Sequence, residues 1–259
     1  MAGFLFQDII FGPVRSRRLG ESLGINLLPL HSKFCSFNCI YCECGWTPPR
    51  QADLAELPSR AEVAAFLEQH LKEMASNHHA PDAITYAGNG EPTLHPEFPG
   101  IVEDTIALRD KYVPTAKVTV LSNGSMISNP KVFAALGRLD NNIQKLDAGS
   151  AKQLLLINDP VVDFDPAKYI SDLKKFNGNV IIQSLFLRGN YKGAVVDNTT
   201  EEEVGLWLDH LDEIRPRSVM VYPVDRATPA HDLVKIGREE METIAAKVRK
   251  LGIEVAVYN

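Results

Sequence analysis

Short apolar runs alternate along the chain with longer segments whose apolar residues recur every three or four positions. Most of these runs are rich in Val, Ile and Thr or bounded by Gly, Pro and Asn, which is typical of β-strands. The runs that predict strands are 24–28, 82–87, 116–121, 142–146, 180–187, 218–222 and 253–258. The chain therefore has the pattern of an α/β protein.

Capping residues mark where several of the intervening helices begin. Ser59 and Thr200 each precede a glutamate by three residues, which is the spacing of a capping box. Asn129 and Asp165 each precede a proline, which suits the first position of a helix. The last apolar stripe stops before Gly252, a residue type that commonly ends helices.

Regular alternation of strand and helix predicts parallel strands joined by right-handed crossovers. Six or seven such units predict an α/β fold of the partial (β/α)6-type TIM barrel kind, with a cysteine-bearing loop after the first strand. We expect a single domain over residues 1–259, with a lead segment over 1–21 and the partial barrel over 22–259. In such folds the reactive residues lie where strands end.

Composition narrows the possible functions. The chain has 259 residues, of which 45% are hydrophobic and 23% charged, and this suits one large folded domain. The net charge of -6 disfavours tight binding to nucleic acid. No apolar stretch approaches the roughly 20 residues of a membrane span, and the first residues do not resemble a signal peptide, so we expect a cytoplasmic protein without membrane contact. The basic residues Arg15, Arg17 and Arg18 suit a solvated loop and an anion site equally well.

All four cysteines lie between Cys35 and Cys44, whereas a disulfide framework would spread them along the chain. Such crowding indicates a metal centre. Cys35, Cys39 and Cys42 would give an iron–sulfur cluster three of its four thiolates, leaving one iron open to a small molecule. The alternative is a zinc site that includes Cys44, but the single residue between Cys42 and Cys44 matches zinc spacing poorly.

The segment Cys35-Ser-Phe-Asn-Cys39-Ile-Tyr-Cys42 resembles the signature of the radical S-adenosylmethionine (SAM) superfamily. Residues 11–29 are similar to the start of wyosine-biosynthesis-related Fe-S oxidoreductases. The resemblance implies a [4Fe-4S] cluster on the three cysteines and reductive cleavage of SAM to a 5′-deoxyadenosyl radical. It also implies that Tyr41 packs beside the adenine, and that a reductant such as flavodoxin or ferredoxin supplies the electron.

The loop after the second predicted strand reads Gly88-Asn89-Gly90-Glu91. By itself it would suit a plain turn. The resemblance places it at a Gly-Gly-Glu type motif that holds the amino group of the cofactor, with Asn89 in place of the middle glycine. The positions through which the resemblance implies cofactor contact are Tyr41, Gly88, Gly90, Glu91, Ser122, Asn123, Asp147, Gln183 and Tyr222.

Charged residues near the ends of later strands are candidates for substrate contact. Lys145 and Arg226 are the two that we predict to touch an anionic substrate, and surface ion pairing is the alternative for both. Lys145 is the stronger candidate because strand interiors rarely carry an unpaired charge. Cys44 suits either a thiyl or proton donor or an unreactive thiol near the cluster.

No cysteine precedes Cys35 or follows Cys44, so the sequence offers no ligands for a second all-cysteine cluster. We therefore expect a single-cluster enzyme that abstracts hydrogen from a small-molecule or nucleoside-like substrate. The alternatives are activation of a partner enzyme through a glycyl radical, modification of a peptide or tRNA, and, in another class, a non-catalytic Fe-S or zinc-binding module.

Overall fold

The computed structural model describes residues 3–49 and 54–258, which form a ten-stranded sheet with helices packed against it. The strands are β1 (Ile10–Ser16), β2 (Gly20–Ile25), β3 (Ala83–Tyr86), β4 (Lys117–Ser122), β5 (Asn141–Lys145), β6 (Ile181–Tyr191), β7 (Ala194–Asp197), β8 (Ser218–Pro223), β9 (Val234–Lys235) and β10 (Glu254–Val257). The helices are α1 (Arg60–Ser76), α2 (Phe98–Tyr112), α3 (Pro130–Leu136), α4 (Ala151–Asn158), α5 (Pro166–Lys174), α6 (Glu201–Ile214) and α7 (Arg238–Lys250). Short 3-10 turns lie at Leu54–Glu56 and Pro92–Leu94.

The strands follow the order β1-β2-β3-β4-β5-β6-β8-β10 across the sheet, and from β2 onward all neighbours in this order are parallel. β1 pairs with β2 in an antiparallel hairpin, and β7 and β9 pair with the far end of β6. Among the described residues β1 and β10 are the two edges, so the sheet is open. The predicted partial TIM barrel is confirmed. No helix in the described ranges is long and apolar enough to cross a bilayer.

The seven predicted strands correspond to β2, β3, β4, β5, β6, β8 and β10, whose ends differ from the predicted ones by up to four residues. β2 covers Gly20–Ile25 rather than 24–28, because Leu27 and Leu28 are buried as part of a loop instead of a strand. β5 ends at Lys145, so Asp147 lies beyond the strand rather than at its last position. β2 therefore begins at Gly20, inside the predicted lead segment of residues 1–21.

The four predicted N-caps are confirmed, but the capping box is complete only at Ser59, because the Glu203 carboxylate accepts from Gly149 and Ser150 instead. The Ser59 hydroxyl accepts a hydrogen bond from the backbone of Glu62 in a complete capping box, and Thr200 accepts from the backbone N–H of Glu203. Asn129 and Asp165 cap α3 and α5, each ahead of a proline. These contacts satisfy backbone N–H groups that the first helical turn leaves unpaired.

The two faces of the parallel sheet have different neighbours. On the outer face, the indole nitrogen of Trp207 in α6 donates to Ser184 of β6 over 3.0 Å. On the opposite, inner face, the strand register aligns Lys145, Gln183 and Met220 on β5, β6 and β8. Side chains alternate along a strand, so the inner face is the one turned away from the helices. This inner face carries the candidate site.

Candidate active site

The cysteine loop follows β2 and is joined to the loop after β3. The backbone N–H of Phe34 donates to Asn89 over 2.9 Å, and the N–H of Glu91 donates to the Phe34 carbonyl over 3.1 Å. Between these bonds lies Gly90 with φ +145°, where an added Cβ would be 1.9 Å from the Phe34 oxygen. Only glycine fits such a close approach of two backbones.

Asn89 explains why this loop departs from a Gly-Gly-Glu pattern. Its amide nitrogen donates to the carbonyls of Phe6 and Pro29, each over 2.9 Å, and its amide oxygen accepts from the N–H of Phe6 over 2.8 Å. The Asn89 backbone N–H donates in turn to the side chain of Asn26. The asparagine therefore fastens the N-terminal segment to the cysteine and glycine loops.

Cys35 and Cys39 are buried and receive hydrogen bonds at their sulfurs. The backbone N–H of Phe37 and the side-chain amide of Asn123 lie 3.5 and 3.7 Å from the Cys35 sulfur, and the Asn158 amide lies 3.5 Å from that of Cys39. Burial raises the pKa of Cys35 to about 12 and that of Cys39 to about 11. A bound metal centre would take both as thiolates, and the surrounding N–H donors suit that charge.

Lys33 is a buried cation beside the cysteines. Its side chain is only 3% exposed, and its ammonium donates to the Gly45 carbonyl over 2.9 Å. Burial alone would lower the pKa of Lys33, but attraction to thiolates at the four cysteines raises it. A cluster on three thiolates carries net negative charge, which this ammonium would offset.

Cys44 is turned toward Cys42 and the glycine loop. A hydrogen bond from Cys44 holds the pKa of Cys42 below its ordinary value, and the same contact together with burial raises the pKa of Cys44. The Cys44 sulfur also lies 3.5 Å from the Gly88 carbonyl, to which its one S–H can donate in place of Cys42. Cys44 thus supports the conformation of the loop through hydrogen bonds.

The donor set fits an iron–sulfur cluster better than a single metal ion. Within residues 3–49 and 54–258, no three His, Cys, Asp or Glu side chains converge to hold one ion, as a zinc site requires. A cluster instead takes one thiolate at each of its ligated irons, so its cysteines surround it without converging. Cys39 raises the pKa of Cys35, and Cys42 raises the pKa of Cys39, so each cysteine lies near the next one. This spacing suits a cluster.

The Glu91 carboxylate is buried where the loops after β3 and β4 meet. It accepts from the Thr93 N–H and hydroxyl over 3.0 and 2.5 Å, from the Ser122 hydroxyl over 2.9 Å and from the Asn123 N–H over 2.6 Å. Burial raises the pKa of Glu91 in spite of these bonds. The carboxylate therefore braces the loops after β3 and β4, and its contact with the amino group of a cofactor stays a prediction.

We expect Glu91→Gln to destabilise the fold by about 1–3 kcal/mol, because the amide nitrogen cannot accept from the donors that now bond to the carboxylate. Urea unfolding under anaerobic conditions, at equal cluster loading, measures the change. Glu103→Gln is the matched control, since Glu103 is exposed and makes surface ion pairs with Arg60 and Arg138. Equal stability of the two variants would contradict the bracing role of Glu91.

A network of four polar side chains crosses the inner face next to Cys39. The Lys145 ammonium donates to the hydroxyls of Tyr41 and Tyr222, each over 2.7 Å, and the Tyr41 hydroxyl donates to Asp147. Asp147 is fixed by the Leu185 N–H over 2.8 Å, and its carboxylate lies 3.7 Å from the Lys145 ammonium. The structure thus brings together four of the residues that the sequence singled out.

Charge pairing sets the protonation state of this network. Burial alone would lower the pKa of Lys145, but attraction to Asp147 and to Tyr222 raises it above its ordinary value. Burial together with Asp147 raises the pKa of Tyr41. Lys145 is therefore charged and Tyr41 neutral near neutral pH, which leaves a cation and a hydroxyl on the inner face.

Gln183 is a buried residue whose side-chain amide makes no hydrogen bond within the described residues but still reaches solvent. Its side chain is 3% exposed and lies on the inner face, in register with Lys145 and Met220. An amide that reaches solvent needs no protein partner, so its surroundings do not by themselves indicate a ligand. Contact between Gln183 and the cofactor stays a prediction.

Arg226, the other charged candidate, lies outside this network, as does Arg188 on β6. Arg226 is exposed and pairs with Glu43 over 2.6 Å at the rim, so the structure does not bring it to Lys145. Arg188 pairs with Asp197 and Glu240. These contacts match the surface ion pairs that were the alternative reading, although substrate contact by Arg226 stays a prediction.

Sequence reasoning missed several residues of the site. Lys33 lies two positions before Cys35, and this closeness to the cysteine motif could have identified it as part of the site. Asn158 bonds to both Cys39 and Asp147 from the end of α4, a helix that the sequence analysis did not single out. Its role depends on tertiary packing, and nothing in the local sequence indicates it.

An open barrel of parallel strands, with a three-cysteine loop after its first parallel strand and an inner-face polar network beside it, defines the class of radical SAM enzymes. Residues 30–176, more than half of the chain, match the Radical SAM superfamily. The chain belongs to the radical SAM superfamily and is an enzyme whose cofactors are a [4Fe-4S] cluster and SAM.

Two curated relatives are similar to this chain. A UPF0026 protein of Helicobacter pylori (strain J99) is 30% identical over 222 residues, covering 84% of this chain and 67% of that protein. A protein of Brachyspira hyodysenteriae named GTPase Obg is 31% identical over 237 residues, covering 90% of this chain and 32% of that protein. The chain thus spans about a third of the Brachyspira protein. It contains no Gly-x4-Gly-Lys-Ser/Thr motif for nucleotide phosphates.

A solved structure has the same fold. The radical SAM methyltransferase from Sphaerobacter thermophilus superimposes with a TM-score of 0.67 at 14% identity, covering 92% of this chain and 65% of that chain. At this identity the likeness establishes the architecture and leaves the reaction open.

Proposed function

We propose that this enzyme abstracts a hydrogen atom from a small-molecule or nucleoside-like substrate held on the inner face of the barrel. When bound, the cluster and SAM would supply reductive cleavage of SAM and removal of a hydrogen atom from the substrate. The chain itself supplies orientation, charge and exclusion of water. Electron delivery from a reductant such as flavodoxin or ferredoxin belongs to the same proposal.

The observation that supports a small substrate is that the turn between β1 and β2 covers part of the inner face of the sheet. Leu19 in this turn packs with Ile143, Ile181 and Met220, which lie on the inner face of β5, β6 and β8. The turn therefore forms a floor beneath the polar network. A floored compartment suits a compact substrate better than a long polymer threaded through it.

Named residues would do the positioning. Cys35, Cys39 and Cys42 would hold the cluster, with Lys33 offsetting its charge. Tyr41 would lie beside the adenine, oriented by its hydrogen bond to Asp147. The side-chain amide of Gln183, on β6, would form a hydrogen bond with the bound ligand.

Deuterium transfer tests the proposal. Deuterated cell extract is first passed through a membrane that retains protein and RNA. We expect the reconstituted enzyme, reduced with dithionite and given SAM, to form deuterated 5′-deoxyadenosine from the fraction that passes. Cys39→Ala should give none from any fraction. Deuterium that arrives only from the retained protein or RNA would contradict a small substrate and favour a glycyl-radical or tRNA-modifying role. Transfer from the passing fraction that is lost after peptidase treatment would favour a peptide-modifying role.

A further inference from the structure

The turn between β1 and β2 carries two adjacent arginines with different surroundings. Arg17 pairs with Asp225 over 2.8 Å, and Asp225 also accepts from Lys235 over 2.8 Å. Arg18 instead lies over the ring of Tyr222, with its guanidinium carbon 4.9 Å from the ring centroid. The side chain next to it, Leu19, packs into the floor of the inner face. Arg18 therefore lies on the inner face, whereas Arg17 pairs at the rim.

Part of the Arg18 guanidinium is buried without a partner. Its Nη1 atom is inaccessible to water and has no hydrogen bond among the described residues. A guanidinium carries five N–H donors, and leaving a charged donor unpaired inside a protein costs free energy. Arg18 thus has donor capacity that the protein itself does not use.

A second cation approaches the same tyrosine. The Lys145 ammonium lies 5.3 Å from the Tyr222 ring centroid and donates to its hydroxyl. The carboxylate of Asp147, 3.7 Å from Lys145, is the acidic group facing this pair. Glu91, the other buried carboxylate of the site, is occupied by Thr93, Ser122 and Asn123 and does not face Arg18. Two cations, Arg18 and Lys145, therefore lie against the Tyr222 ring.

We propose that Arg18 binds an anionic group of the substrate, a carboxylate or a phosphate, on the inner face beside Tyr222. The inference deepens the proposed function and rests on it. Guanidinium recognises both oxyanions through paired N–H donors, and the stacked tyrosine holds its plane in place. Lys145, on the same ring, adds a second positive charge. Because Nη1 is closed to water, the anion would bond to Nε and Nη2 of the guanidinium, for which the described residues show no hydrogen bond.

The test separates deuterated cell metabolites on an anion-exchange column before they meet the reconstituted enzyme, dithionite and SAM. We expect deuterium transfer to 5′-deoxyadenosine from the retained, anionic fraction. In Arg18→Leu the deuterated share of 5′-deoxyadenosine should fall tenfold or more, as expected for loss of a charge-assisted contact. Arg18→Lys should restore part of it, since it keeps the charge. Arg17→Leu is the matched control and should keep the wild-type share.

The outcomes distinguish the sources of the anion. Loss of transfer after phosphatase treatment of the fraction identifies a phosphate, and loss only after methyl esterification identifies a carboxylate. Transfer from the unretained fraction alone, or equal shares for Arg18→Leu and Arg17→Leu at equal iron content and equal helicity, would overturn the role of Arg18. Absence of any 5′-deoxyadenosine from the wild-type enzyme would instead count against the proposed function itself.

Discussion

Replacing Cys39 with alanine should abolish both binding of the four-iron cluster and formation of 5′-deoxyadenosine. Cys39 is buried at the centre of the cysteine loop, where the Asn158 amide donates to its sulfur. Removing one of three thiolates leaves two ligated irons, and no other described thiol stands in the same position. Iron and sulfide content per chain, together with the electron paramagnetic resonance signal of the reduced cluster, measures the loss.

Cys44→Ala is the control for this prediction. The single S–H of Cys44 donates to either Cys42 or the Gly88 carbonyl, so we expect its removal to change the loop modestly and to leave the cluster bound. A cluster that survives in Cys39→Ala and is lost in Cys44→Ala would show that the ligands had been wrongly assigned. Loss in both variants would instead indicate a four-cysteine site of the zinc or closed-cluster kind.

Gly90→Ala should destabilise the protein by about 3 kcal/mol or more and sharply reduce cluster loading. An alanine Cβ at Gly90 would be 1.9 Å from the Phe34 carbonyl oxygen, a backbone atom that cannot swing aside. The residue also has φ +145°, which side chains rarely adopt. Relief of the clash would separate the loop after β3 from the cysteine loop.

Gly193→Ala is the matched control, because Gly193 also has a positive φ, +76°, but nothing lies within 4 Å of an added Cβ. It should cost about 1 kcal/mol through backbone strain alone. Anaerobic thermal unfolding and iron content of the two variants decide the matter. Equal losses in both would mean that backbone strain, rather than the Phe34 contact, governs the site.

Much of the fold follows from local sequence. The alternation of apolar runs and capped amphipathic segments is a property of neighbouring residues, which is why the parallel strands and the caps at Ser59 and Asn129 were predictable. The cysteine spacing is equally local, since three thiols on one loop need no distant partner. β1, β7 and β9 were missed because these antiparallel additions to the sheet are largely exposed and carry no apolar run of strand length.

The rest of the site depends on contacts between distant segments. The turn bearing Arg18 reaches Tyr222 on β8 only because the sheet curls. Glu91 is held by Ser122 and Asn123 after β4, so the direction of its carboxylate depends on packing between two loops. Arg226 lies at a strand end as predicted, yet its pairing with Glu43 takes it to the rim.

Anaerobic reduction of the reconstituted enzyme in the presence of SAM is the most direct test of the central claim. Wild-type protein carrying a full [4Fe-4S] cluster should convert SAM to 5′-deoxyadenosine and methionine when dithionite is added, and Cys39→Ala should not. Absence of 5′-deoxyadenosine in spite of a full, reducible four-iron cluster on Cys35, Cys39 and Cys42 would contradict the account.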